Sequence, residues 1–151
     1  MSEQSASGQD KVEASDERLA KLAQRAVVAF REENDEAYQE LVREFEARSA
    51  NVAVFGHGRI GVAVKDGQVS VEPGLRGGGD VARGAIYPES LVAIAEGRTT
   101  PLEAHFKGDL IAQAPSGDLH RAYGYFVKFA DSAVRSERLQ ELIKEFRVQV
   151  G

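Results

Sequence analysis

The chain has 151 residues, 42% hydrophobic and 28% charged, with no cysteine and a formal net charge of −5. This is the size of one domain with a real core; the lack of cysteine excludes disulfides and thiolate metal sites, and an acid excess without a basic stripe argues against nucleic acid as partner and against strong attraction to anionic membranes. No apolar run approaches the length of a membrane span, and the polar N-terminus has no signal-peptide core, so a cytoplasmic chain without stable membrane insertion is expected.

Residues 1–15 carry hardly any large apolar side chain and read as a disordered tail. Asp16 reads as an N-cap, followed by Leu19, Leu22, Ala26 and Phe30 at three- and four-residue spacing, a helix reaching about residue 34. Charged residues around 31–36 interrupt it, and Asn34 reads as the cap of a further helix bearing Ala37, Leu41 and Phe45. The pattern leaves open whether this region is one long helix or two.

Gly56, Gly58 and Gly61 then stand at G-x-G-x-x-G spacing after an apolar run. A dinucleotide site requires the third glycine to open a helix whose N–H groups hold the pyrophosphate. Instead Val62, Val64, Val69 and Val71 recur with period two around Asp66-Gly67, a hairpin signal. The required context is missing, so the glycines read as bends or close backbone approaches between strands near 51–56, 59–65 and 68–72. A glycine-rich loop at 77–79 lacks the Lys-Ser or Lys-Thr of a phosphate cradle. A fourth strand is expected near 81–87.

Pro88 suits the first turn of a short helix over 89–96 that Gly97 ends. Thr100, Pro101 and Glu103 mark the start of another, closed by Gly108. Leu110 and Ile111 mark a fifth strand. Asp118 caps a helix with Leu119, Tyr123, Phe126, Val127 and Ala130 on one face, and Ala122, Tyr125, Phe129 and Ala133 on another. Ser136 caps the last helix, with Leu139, Leu142, Ile143 and Phe146 in one stripe. The expected fold class is α+β: about five strands in a mainly antiparallel sheet covered by helices, with an extra N-terminal helix.

From about Glu36 to Lys128 the sequence resembles the sterol carrier protein type-two family. The carrying motifs are the hairpin Val64–Gly74, the glycine-ended helix Pro88–Gly97, the element Thr100–Leu110, and Gly117-Asp118-Leu119 opening the closing helix. The resemblance implies a sterol-carrier-like domain over 35–151, with 1–15 as tail and 16–34 as an added helix. It also implies an apolar tunnel between sheet and helices that binds or transfers a hydrophobic small molecule or lipid, without cofactor, metal or chemistry. His105 departs from the family pattern, as do the short strand before Pro115, the helix at 16–32 and the tail after Arg135.

A helix apolar on two faces is either sandwiched or lines a cavity. With the resemblance, the expected ligand-binding residues are Phe55, Val62 and Val64 on the sheet, Ile94 on the short helix, and His105, Phe106, Ile111, Tyr123, Phe126, Val127 and Ala130 around them. His57, His105 and His120 are too scattered to suggest zinc. Tyr87, Tyr123 and Tyr125 could offer hydrogen bonds inside a pocket. Two alternatives stay beside the carrier reading: an accessory or oligomerisation module with the same fold and little or no ligand tunnel, for which the N-terminal helix suggests a homodimer, and a small enzyme using His105 with a tyrosine on an apolar substrate.

Overall fold

The computed structural model describes the backbone of residues 2–76, 81–114 and 118–150, and the side chains of 13–76, 81–114 and 120–149. In chain order the elements are α1 (Ser2–Glu33), α2 (Asp35–Glu44), β1 (Ser49–Val54), β2 (Gly58–Lys65), β3 (Gln68–Pro73), β4 (Ala82–Ile86), α3 (Pro88–Ala95), α4 (Pro101–Phe106), β5 (Leu110–Gln113), α5 (Asp118–Arg135) and α6 (Glu137–Val150).

The valine alternation does build a hairpin. Asp66 and Gly67 both take positive φ, 55° and 76°, as a type I′ turn requires. They set β2 and β3 in the register Val62↔Val71 and Val64↔Val69. β1 adds antiparallel to the other edge of β2, Val52 opposite Ile60. The run of antiparallel strands stops there. β4 joins the free edge of β1 in parallel, Val52 beside Gly84, and β5 returns antiparallel to β4. The order is β3-β2-β1-β4-β5, a mixed five-stranded sheet, antiparallel at every pairing except β1 with β4.

The connection from β3 to β4 begins across the outer sheet face. Asn51 grips its backbone from both sides: the side-chain amide donates to the Arg76 carbonyl at 2.8 Å, and the Arg76 N–H donates to Asn51 Oδ1 at 2.7 Å. Gly61, the register partner of Asn51, lies directly beneath; a Cβ there would stand 2.7 Å from Arg76 Cγ. The third glycine of the apparent fingerprint is thus a place where a passing segment presses on the sheet. Gly58 serves the opposite side. A Cβ there would stand 2.9 Å from the Ser15 carbonyl oxygen, and its φ of 154° is one that side chains disfavour.

Helix α1 lies along β2 and β3 on the inner face and also meets α2, α5 and α6. It starts at Ser2, not at Asp16: residues 2–15 hold no proline and one glycine, so nothing in them halts a helix. Asp16 is therefore not a cap. It is a buried anchor whose Oδ1 accepts the Arg59 N–H at 2.7 Å, fixing α1 to the start of β2. The Arg59 guanidinium adds a looser contact at 3.8 Å. Asp16→Ala should cost about 1.5–3 kcal/mol in chemical denaturation, because it strips a charged acceptor from a part-buried N–H. Arg59→Ala should cost under about 1 kcal/mol, since its side chain is half exposed.

The helical region divides at Asn34, whose Oδ1 accepts the Ala37 N–H at 3.4 Å. Leu19, Leu22 and Phe30 are buried within their own chain. The apolar stripe that suggested a homodimer through this helix is therefore already covered, by the sheet and the C-terminal helices. Ser136 caps α6 through a bond from the Leu139 N–H at 3.1 Å, and Gln140 ties α6 to the Ala95 carbonyl at 2.9 Å.

Candidate functional site

A cavity of about 440 Å³ lies between the inner sheet face and α1, α3, α5 and α6. Its lining is almost wholly apolar. Strand parity makes the floor: Val52 and Val54 of β1, Ile60 and Val62 of β2, Val71 of β3, Ile86 of β4 and Leu110 of β5 all line it, as alternate side chains share one face. Helix α1 supplies Leu19, Leu22, Ala23, Ala26 and Val27 at three- and four-residue steps. The i, i+4 pair Leu91 and Ala95 of α3 adds to the wall, as does the α6 stripe of Leu139, Leu142, Ile143 and Phe146.

Of the residues expected from the sequence, Val62, Tyr123 and Phe126 line this cavity. Val64 shares the inner face with Val62, but it sits one step further along, buried in a separate cluster with Phe30, Tyr38 and Val42. Ile94 and Ala130 are buried in the main core beside the cavity without lining it. The others lie elsewhere, each for a geometric reason. Ile111 has the wrong parity: Leu110 and Ala112 line the cavity, while Ile111 is 50% exposed opposite Ala85. Phe55 follows the end of β1 and stacks on Tyr87 at 4.6 Å, both exposed. Val127 falls off the inward stripe of α5, which runs through Ala122, Tyr123, Phe126, Phe129 and Ala133. Phe106 ends the short α4 and is 78% exposed. His105 is exposed too, its ring edge-on to Tyr123 with the ring centroids 5.7 Å apart.

The tyrosines separate by role. Tyr87 is on the surface with Phe55. Tyr125 faces α2 and donates to Glu44 Oε2 at 2.6 Å. Desolvation first, then that bond and the Glu44 charge, push its phenol up to about 12. The folded state therefore holds this proton more tightly than the unfolded chain; the contribution is present below the ordinary phenol range and fades as pH rises through about 12. A phenol ionising near pH 12 in an ultraviolet titration, absent from Tyr125→Phe, is the expected result. Tyr123 alone of the three stands in the cavity wall. His57 lies in the β1–β2 turn against Phe146, and His120 is exposed on α5.

Solved structures share this arrangement. A crystal structure of sterol carrier protein 2 aligns with a TM-score of 0.52 at 17% identity, covering 76% of this chain and 95% of its own. The solution structure of the sterol carrier protein domain 2 of Helicoverpa armigera aligns at 0.51 and 16% identity, over 73% of this chain and 83% of that one. The chain has the sterol carrier protein 2 fold. A structure of a UbiJ-SCP2 ubiquinone synthesis protein aligns at a TM-score of 0.48 and 19% identity, over 65% of this chain and 81% of its own. No family model and no curated protein matches the sequence. In this sterol carrier protein 2 fold the cavity occupies the space between sheet and helices, and among the described residues no helix is long and apolar enough to cross a membrane.

The part of the wall contributed by α1 and α6 is not legible from the resemblance, whose motifs run from about Glu36 to Lys128. Their amphipathic stripes were visible; that both fold back over the sheet was not.

Proposed function

We propose that this chain is a non-enzymatic carrier that binds one hydrophobic molecule, a lipid of sterol or fatty-acyl type, in the cavity between sheet and helices. The carrying observation is the cavity itself: about 440 Å³ with an almost wholly apolar wall. Small-molecule pockets run from about 300 to 1,000 Å³, apolar with few polar groups. The two neighbours that share the fold are named as sterol carrier proteins, which supports a lipid as the class of ligand. Each buried methylene contributes about 0.8 kcal/mol, so eight contribute roughly 6 kcal/mol before association and ordering costs. The result is a modest, reversible affinity, which suits transfer.

Native mass spectrometry of the purified protein, with titration of a fluorescent fatty acid, tests the proposal. Saturable one-to-one binding is expected. Absence of both a co-purified ligand and any saturable binding would overturn it.

A further inference from the structure

The wall of the cavity holds one unsettled polar atom. Tyr123 lines it, half-buried, yet its hydroxyl oxygen is sealed from water and has no hydrogen-bond partner among the described residues. Buried hydroxyls ordinarily find partners, and an unpaired one destabilises the apo protein. The other buried unpaired side-chain atom among the described residues, Arg76 Nε, belongs to the connection on the outer sheet face and not to the cavity.

We propose that Tyr123 selects the ligand: its hydroxyl pairs with a single uncharged oxygen, a hydroxyl or carbonyl, at one end of an otherwise apolar lipid. This rests on the carrier reading above and narrows its ligand class.

Three observations set the chemistry. The surroundings are apolar, and the hydroxyl is closed to a water-sized probe from the cavity as well as from outside, so a ligand oxygen reaches it by displacing the side chains packed over it and then finds the phenol as its partner. Desolvation raises the Tyr123 phenol, so it stays protonated and able to donate near neutral pH. Among the described residues no buried charge waits for an ionised headgroup: the buried polar residues there are Asp16 and Ser136, neither lines the cavity, and Arg83 and Gln113, which border it, are exposed. A carboxylate taken inside would lose its hydration without a counter-ion.

Position adds a direction. Tyr123 lies in the first half of α5 beside the exposed His105 of α4. Phe126, Phe129 and Ala133 continue the wall along α5. Ten residues of helix span about 15 Å. The oxygen end of the ligand sits at Tyr123 and its hydrocarbon runs toward Ala133 and α6.

The test compares decanol, methyl decanoate, decanoate and decane as displacers of cavity-bound Nile red, in the unaltered protein and in Tyr123→Phe. Phenylalanine keeps the ring and removes only the hydroxyl. Decanol and methyl decanoate should bind the variant about tenfold more weakly, the scale of one net hydrogen bond, while decane binds both proteins equally. Decanoate should bind the unaltered protein more weakly than decanol at neutral pH. Equal decanol affinity in the two proteins overturns the role of Tyr123, and tighter binding of decanoate than decanol overturns the neutral class. Binding of none of the four, with Nile red also excluded, overturns the carrier reading and this inference with it. The apo variant should unfold at the same or a higher denaturant concentration; a lower midpoint would mean the hydroxyl already has a structural partner and would also overturn the assignment.

Discussion

Deleting residues 1–33 is expected to unfold the domain, not to trim an appendage from it. Helix α1 buries Leu19, Ala20, Leu22, Ala29 and Phe30, and it covers β2 and β3 along the inner sheet face. Each large side chain among them contributes about 1.5–3 kcal/mol by burial, against a total of about 5–15 kcal/mol for a whole domain. The remaining chain would expose the floor valines of the cavity and leave α6 without its main neighbour. Loss of near-ultraviolet circular dichroism, strong binding of a hydrophobic dye and a non-cooperative denaturation curve are the expected signatures. The point substitution Phe30→Ala isolates one part of this. Phe30 packs with Phe129 at a ring distance of 5.3 Å in the cluster that also holds Tyr38, Val42 and Val64, so it should cost about 3–5 kcal/mol in chemical denaturation. A fragment 34–151 that unfolds cooperatively at an unchanged midpoint would show that α1 is an accessory after all. That result would revive dimerisation through this helix as its purpose.

The same helix marks where sequence reasoning succeeds and where it stops. Local rules act over a few residues, and they placed the hairpin at Asp66-Gly67, the caps at Asn34, Thr100 and Ser136, and the C-terminal glycine Gly97. They also identified the missing helix after Gly61 that separates these glycines from a nucleotide site. Rules of that range say nothing about which side of a sheet a distant helix will cover. Ile111 illustrates the cost. Leu110 and Ile111 are equally apolar in sequence, and only the pairing of Ile86 with Leu110 decides which one faces the cavity. Asp16 fails in the same way: a good capping residue by local propensity, it is used instead for a long-range bond to the Arg59 N–H.

Filling the cavity from α1 should separate binding from folding. Ala23 and Ala26 both line the cavity on neighbouring turns of the helix, and each is only partly buried. Leucine at both sites keeps helix propensity nearly unchanged and sends two larger apolar side chains into open space. If about 440 Å³ is room for a ligand, Ala23→Leu with Ala26→Leu should lower affinity for a fluorescent fatty acid at least tenfold. The unfolding free energy should hold or rise, because the new methyl groups gain burial without displacing core neighbours. The opposite pattern has a clear physical meaning. In a well-packed core the same substitutions would overpack and cost about 1–3 kcal/mol. Destabilisation of that size with undiminished binding would show that the ligand sits somewhere other than between α1 and the sheet. Leu22, on the same helix, cannot make this distinction, since it is both buried in the core and part of the cavity wall. The two alanines can, because their small size costs the fold little and leaves the cavity its volume.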